Sequence, residues 1–163
     1  MSTSVVVGNP KEDSRTLHAA LLVAERLTQA PADVVVDVVT LGAGLLGWSD
    51  PAVTDAIAKV AGTDYLICAS PTYKASYTGL LKIFLDLFPG GGLQGVTAFP
   101  VMLGAGPHHA MAPELLLKPV LVELGATCPT RGLYLLDSEW ETSPALKVWL
   151  PAASAFVTAG AIR

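Results

Sequence analysis

The segment after the first apolar run carries side chains suited to binding an anion. The β-branched run at residues 4–7 ends in a Gly-Asn-Pro-Lys turn, and a helical pattern opens at Ser14. Such a turn presents unpaired backbone N–H groups and the positive end of a helix dipole, which attract phosphate. The hydroxyls of Ser14 and Thr16 and the charges of Lys11 and Arg15 would complete the site. The alternative is a capped helix with two solvated cations.

A second stretch, residues 69–82, combines hydroxyls, aromatic rings and a cation in the order Ala-Ser-Pro-Thr-Tyr-Lys-Ala-Ser-Tyr-Thr-Gly-Leu-Leu-Lys. It follows an apolar strand pattern, and Ser76 is placed to cap the helical pattern that comes next. Loops at the carboxyl ends of parallel strands bind ligands in open α/β sheets. The alternatives are an ordinary strand-to-helix turn, interface roles for Tyr73 and Tyr77, and a solvated Lys74.

A third loop, residues 103–109, is built from small residues that would let a flat ligand approach the backbone. His108 and His109 are adjacent, so they cannot both face one metal in the i, i+4 manner of a helical zinc site. No carboxylates or thiols cluster with them in the sequence. We therefore expect no metal, and His109 is best interpreted as a helix cap or a packed histidine.

The composition indicates one soluble domain, residues 1–163, that buries part of its surface in an assembly. Hydrophobic residues make up 52% of the chain and charged residues 15%, which favours an oligomer. The net charge of −4 comes without a basic block and argues against nucleic acid. The sequence shows neither a membrane-spanning run nor a signal peptide, so a cytoplasmic location is expected. Cys68 and Cys128 lie in apolar segments, and no disulfide is expected.

The chain alternates strand and helix patterns five times. The predicted strands are residues 4–7, 33–41, 65–69 and 96–103, with a split last strand at 125–128 and 132–136; the predicted helices begin near residues 14, 50, 76, 111 and 143. Right-handed crossovers then produce a parallel sheet covered by helices on both faces. We predict an α/β flavodoxin-like three-layer sandwich with strand order 2-1-3-4-5, in which the loops after strands one, three and four converge where a mononucleotide would bind.

Two prolines interrupt these patterns. Pro100 cannot donate to a sheet ladder, so a bulge or a locally unpaired site is expected in strand four. Pro119 lies inside the fourth helix, where it removes one hydrogen bond and clashes with the preceding turn. That helix should kink or bulge near Leu115.

With these motifs assembled, the sequence resembles the NADPH-dependent FMN reductase family, in particular the reductases that supply reduced flavin to alkanesulfonate monooxygenases. The resemblance runs along most of the chain. It rests on the Gly-Asn-Pro-Lys turn with Ser-Arg-Thr, on residues 70–82, and on shorter matches at 87–89, 93–95, 103–105, 109 and 117–121.

The resemblance implies a set of flavin contacts and no catalytic side chain. The FMN phosphate would be held by Asn9, Lys11, Ser14, Arg15 and Thr16. The ribityl chain and isoalloxazine ring would lie along Pro71, Thr72, Tyr73, Lys74 and Ser76, with Gly104 and Ala105 against one side of the ring. The family usually has serine at position 9, arginine at 11, a second glycine at 105 and, in the alkanesulfonate-linked members, tyrosine at 115. The implied assembly is a homodimer or homotetramer.

The implied activity is hydride transfer from NADPH or NADH to FMN, with a flavin-dependent monooxygenase as a possible receiver of the reduced flavin. Hydride transfer is chemistry of the two cofactors, so the protein needs to stack the rings rather than supply an acid and a base. Backbone N–H groups near residues 73–76 would stabilise the electron-rich reduced ring. The alternatives are an FMN-binding electron carrier, or a quinone or azo reductase on the same scaffold.

Overall fold

The chain folds around a five-stranded parallel sheet in the predicted order β2-β1-β3-β4-β5. This computed structural model describes residues 1–159. The strands are β1 (Thr3–Val7), β2 (Val34–Asp37), β3 (Tyr65–Pro71), β4 (Thr97–Gly104) and β5 (Leu133–Leu136). The central strands β1 and β3 are buried along their whole length, as expected of strands covered on both faces.

Five helices cover the sheet as two layers. They are α1 (Arg15–Thr28), α2 (Pro51–Ala61), α3 (Gly79–Asp86), α4 (Lys118–Glu123) and α5 (Pro144–Ala159). Apolar side chains of α1 and α5 pack against one face of the sheet, and those of α2, α3 and α4 pack against the other. Within residues 1–159 no helix has both the length and the apolar character needed to cross a membrane.

The helix starts follow the predicted caps at α1 and α2, but not at α3. The Ser14 hydroxyl accepts from the Leu17 N–H at 3.2 Å, and Asp50 caps α2. The prediction that Ser76 caps the third helix is wrong, because its backbone N–H and C=O both pair with Tyr73. Thr78 is the cap instead, with its hydroxyl oxygen 3.1 Å from the Leu81 nitrogen.

The second strand is shorter than predicted, ending at Asp37 rather than continuing to residue 41. Residues 38–46 form 3-10 turns that reverse at Gly42, whose φ of +54° suits glycine. The Thr40 hydroxyl donates to the Asp37 carbonyl at 2.8 Å, which favours a turn over further pairing.

Strand β4 accommodates Pro100 without the predicted bulge. Seven consecutive residue pairs join β3 to β4 in unbroken register, including Cys68 with Pro100. The Ala98 N–H donates to the Thr127 carbonyl on the other side of β4, and the Pro100 nitrogen faces that same side because strand N–H groups alternate. Pairing between β4 and β5 begins only at Val101. The N–H that Pro100 lacks would therefore lie between the contact with Thr127 and the first pair with β5.

The predicted irregularity beside Pro119 is confirmed as a π-helical turn at Pro113–Leu117, directly before α4. The Lys118 N–H donates to the Pro113 carbonyl, five residues back. Pro119 has no N–H to donate to the Leu115 carbonyl. The wider π-helical turn accommodates this proline, which a regular α-helix could not.

A partly buried ion pair ties this π-helical turn to the segment before β5. Glu114 accepts from the Lys118 ammonium at 2.9 Å and from the Gly132 N–H at 2.6 Å. The same ammonium donates to the Thr130 carbonyl at 2.8 Å. Burial raises the pKa of Glu114, but the hydrogen bonds from Lys118 and Gly132, together with the charges of Lys118 and Arg131, outweigh it, and the net pKa lies below the ordinary value.

We expect Glu114→Gln to lower the free energy of unfolding at pH 7 by about 1–2 kcal/mol, because the amide keeps only part of this network. A carboxyl with a lowered pKa in the folded state contributes stability above its unfolded pKa, and that contribution is lost as the pH falls through the folded pKa. The deficit should therefore shrink in urea titrations at acidic pH. Asp55→Asn is the matched control, since Asp55 and Lys59 form an exposed pair at the same spacing. A loss of stability that is the same at all pH values would contradict the lowered pKa of Glu114.

Candidate functional site

The loops after β1 and β3 are packed together at the carboxyl edge of the sheet. The Gly8 N–H donates to the Ala69 carbonyl at 2.9 Å, and the Thr78 hydroxyl donates to the Gly8 carbonyl at 2.5 Å. A Cβ on Gly8 would overlap Leu81 Cβ and lie 2.8 Å from Leu81 Cα. The start of α3 therefore rests directly on the β1–α1 loop, and only glycine leaves room for it.

The β1–α1 loop is organised by its own side chains. Asn9 Nδ2 donates to the Thr16 hydroxyl at 3.0 Å, and Asn9 Oδ1 accepts from the Lys11 N–H at 3.0 Å. Both Asn9 and Thr16 are buried. These side chains shape the turn, and they leave the backbone N–H groups of Ser14, Arg15 and Thr16 without a hydrogen bond to any described residue.

Two cations flank these free N–H groups. Lys11 and Arg15 are exposed, and neither has a carboxylate oxygen within 4.0 Å among residues 1–159. The Arg15 guanidinium reaches the Asp137 carbonyl at 3.5 Å. Free N–H groups at the start of a 14-residue helix, beside two unpaired cations, form a site for an anion.

A cavity of about 300 Å³ lies over this helix start. Seven of its lining residues are predicted site residues, namely Asn9, Lys11, Ser14, Arg15, Thr16, Pro71 and Tyr73. Three others, Asp13, His18 and Asp137, were not predicted. Asp137 had a usable signal, because it is the first polar residue after the last strand.

The β3–α3 loop carries a two-residue hairpin tip. Tyr73 and Ser76 exchange backbone hydrogen bonds of 2.9 and 3.1 Å. Lys74 and Ala75 between them have φ values of +50° and +67°, as in a tight hairpin turn. Of the N–H groups expected near a flavin ring in this segment, those of Tyr73 and Ser76 bond each other. The N–H groups of Lys74 and Ala75 bond to no residue in the described part of the chain.

The β4 loop meets the β3 loop through Tyr134, a residue that sequence reasoning missed. The Thr72 N–H donates to the Leu103 carbonyl at 2.6 Å, and the Tyr134 hydroxyl donates to the Gly106 carbonyl at 2.8 Å. Burial raises the pKa of Tyr134, against a smaller lowering by the Thr72 hydroxyl. Its phenol therefore stays protonated at neutral pH and serves as a donor.

Gly104 lies beneath that phenol ring. A Cβ on Gly104 would overlap Tyr134 Oη and lie 3.2 Å from Thr72 Oγ1. Gly104 is buried and Ala105 beside it is exposed. Neither lines the cavity over α1, and the same holds for Thr72, Lys74 and Ser76. These five predicted residues share the carboxyl edge with that cavity and lie on the two loops beside it.

Other features of the molecule offer less chemistry. A larger cavity, about 740 Å³, lies between β5 and α5, and its lining is mostly apolar with Arg131 as its one charged residue. The thiols of Cys68 and Cys128 are free. Burial raises the pKa of Cys128 to about 11 and that of Cys68 further, so both are protonated at neutral pH and unsuited to nucleophilic chemistry.

Comparison with known proteins points to one family. Residues 1–141 match the family model described as NADPH-dependent FMN reductase. The FMN reductase (NADPH) of Escherichia coli (strain K12) is 38% identical over 92 residues, which are 56% of this chain and 48% of that protein. The FMN reductase (NADPH) of Pseudomonas aeruginosa is 32% identical over 146 residues, 83% of this chain and 77% of that protein.

A solved structure shares the fold along nearly the whole chain. It is described as NADH:FMN oxidoreductase (EMOB) in its apo form, and it superposes with a TM-score of 0.83 at 29% identity, covering 95% of this chain and 87% of that one. The match to the Escherichia coli protein, by contrast, spans about half of that protein's length. Because the family match runs through residues 1–141 and takes in all five strands, the chain belongs to the NADPH-dependent FMN reductase family.

Proposed function

We propose that this protein is an NAD(P)H-dependent FMN reductase that transfers a hydride from a reduced nicotinamide to flavin. One observation carries the proposal: free N–H groups at the start of α1, flanked by Lys11 and Arg15, lie at the same sheet edge as the hairpin at residues 73–76. A phosphate and a planar ring on one ligand would satisfy both at once. The relatives and the solved structure named above act on FMN by their descriptions.

The phosphate of FMN fits the β1–α1 loop. The N–H groups of Ser14, Arg15 and Thr16 supply donors, and Lys11 and Arg15 supply charge. Asn9 holds the turn in shape through its bonds to Thr16 and Lys11. Lysine at position 11 provides a point charge rather than the two-pronged fork of an arginine.

The ribityl chain and the ring fit the two neighbouring loops. The proposed contacts are Pro71, Thr72, Tyr73, Lys74, Ser76, Gly104 and Ala105. The Thr72 hydroxyl is buried beside the Tyr134 phenol, and the N–H groups of Lys74 and Ala75 bond to no residue in the described part of the chain. These exposed N–H groups can donate to a ligand rich in carbonyl and ring nitrogen acceptors.

A flavin held by these residues would supply the hydride-accepting ring of the reaction. The chain's own task is to orient the two rings and to donate hydrogen bonds to the side of the flavin that gains electrons. Tyr73 is 51% exposed at the open side of the loop, where with Tyr77 it can support the nicotinamide. No catalytic side chain and no metal enters this scheme.

The reduced flavin would pass to a flavin-dependent monooxygenase in the cytoplasm, and the working unit would be a homodimer or homotetramer. Exposed apolar side chains support an assembly. Met111, Leu115, Leu116 and Val122 lie along the π-helical turn and α4 and are 40–61% exposed. No basic cluster favours nucleic acid, and the net charge is −4.

The test is steady-state oxidation of NADPH and of NADH with FMN, FAD and riboflavin as acceptors, with a spectrum of the purified protein. Turnover with FMN supports the proposal. Bound flavin that neither nucleotide bleaches would indicate an electron carrier instead. Turnover only with quinones or azo compounds would indicate a quinone or azo reductase. Failure to bind any flavin would overturn the proposal.

Arg15→Ala is expected to raise the KM for FMN about tenfold with little change in kcat, because the guanidinium binds the phosphate equally in ground and transition states. Arg26→Ala is the matched control, since Arg26 is an exposed arginine in the last turn of the same helix. Equal effects of the two substitutions would show that overall charge, rather than a phosphate contact, governs FMN binding.

A further inference from the structure

The cavity over the start of α1 is electrically balanced, although an anion site would be expected to be positive. Its lining holds two cations, Lys11 and Arg15, and two carboxylates, Asp13 and Asp137, together with His18. Carboxylates beside a phosphate oppose the attraction that the cations and the helix start provide. Both the positive and the negative charges of the lining come from residues of this chain.

We infer that Asp13 limits the affinity of this site for the flavin phosphate, so that unphosphorylated riboflavin competes closely with FMN. The inference rests on the proposed function, because it concerns the ligand of the same site. Asp13 immediately precedes Ser14, the cap of α1, and so stands beside the free N–H groups that would receive the phosphate.

Asp13 has a restricted backbone conformation and a side-chain partner. Its φ is +48°, in the left-handed region that most side chains avoid. His18, one turn into α1, places Nε2 2.9 Å from Asp13 Oδ1. The Asp13 side chain is 84% exposed, so the contact with His18, rather than burial, keeps its charge at the rim of the cavity.

Asp13→Asn isolates the charge from the structure. Asparagine is among the few residues that tolerate a positive φ, and its side-chain oxygen can still accept from His18. The substitution removes one negative charge from the lining of the cavity. Glu12→Gln is the matched control, because it removes the same charge one residue earlier, from a side chain that does not line the cavity.

The experiment is fluorescence titration of the wild type and both variants with FMN and with riboflavin, at low and at high salt. One exposed charge a few ångströms from a phosphate that carries nearly two charges corresponds to about a five- to tenfold change in affinity. Asp13→Asn should raise the affinity for FMN by about that factor at low salt and leave the affinity for riboflavin unchanged. The gain should shrink at high salt, since the Debye length falls to about 3 Å at 1 M. Glu12→Gln should shift the ratio of the two affinities less than about twofold.

An unchanged ratio of FMN to riboflavin affinity in Asp13→Asn would overturn the inference and leave the proposed function standing. Equal tightening of both flavins would also overturn it, because riboflavin has no phosphate to sense the charge. Absence of flavin binding in all three proteins would overturn the proposed function, and this inference with it.

Discussion

Replacing Gly8 by alanine is expected to lower the free energy of unfolding by about 3 kcal/mol and to weaken FMN binding at the same time. The new methyl group would overlap Leu81 Cβ and come within 2.8 Å of Leu81 Cα and 3.0 Å of its nitrogen. These are backbone and first side-chain atoms of α3, so no rotamer change relieves the contact. Leu81 is completely buried, and α3 cannot move outward without opening the core.

The loss of binding follows from the same contact. To avoid Leu81, the β1–α1 loop must lift, which disturbs the Gly8 carbonyl that accepts from Thr78 and shifts the free N–H groups at the start of α1. Urea unfolding and FMN titration measure the two effects. Gly79→Ala, at the first position of α3 with open space around it, should leave stability unchanged or raise it by up to about 1 kcal/mol. A Gly8→Ala protein as stable as the wild type would show that the two loops are not packed as described.

Gly104→Ala should cost about 2 kcal/mol and raise the KM for FMN, because its methyl group would overlap the Tyr134 hydroxyl. The phenol ring cannot rotate aside freely, since its hydroxyl is bonded to the Gly106 carbonyl at 2.8 Å. The β4 loop must therefore shift away from Thr72, and with it the surface proposed to face the flavin ring.

Tyr134→Phe provides the sharper test of this contact. Alone it removes one hydrogen bond and should cost about 1 kcal/mol. Combined with Gly104→Ala it removes the overlapping atom, leaving Cζ 3.0 Å from the new methyl group. The double variant should thus be more stable than the sum of the single losses predicts. Additive losses would place the strain of Gly104→Ala elsewhere, and Gly90→Ala, with open space around it, controls for alanine itself.

Sequence patterns predicted a helix or strand correctly where the interactions that form it lie within one helix turn or one strand. Ser14 and Asp50 cap their helices through hydroxyl and carboxylate oxygens that act within three residues. Pro119 removes a hydrogen bond within its own helix, so the irregularity at Pro113–Leu117 was readable from the chain. The strand order followed from the alternation of patterns and the handedness of crossovers.

Errors arose where a contact joins distant segments. Ser76 and Thr78 are both hydroxyl residues before the same helix, and local spacing does not separate them. The choice falls to Thr78 because its hydroxyl also reaches the Gly8 carbonyl, 70 residues away. At Pro100 a bulge or a locally unpaired site was expected, and the structure has the unpaired site, which only the register of β4 with its neighbours reveals.

Hydrophobic periodicity and chain connectivity were enough to predict the class of sheet, the order of its strands and which three loops share an edge. It also identified seven of the residues that line the cavity over α1. The three-dimensional contacts were needed to show which donors on those loops stay free, that Tyr134 joins the β4 loop to Thr72, and that Asp13 and Asp137 balance the charge of the cavity. The physical reason is that hydrogen bonds and charges act through space over a few ångströms, whereas a sequence pattern records only neighbours along the chain.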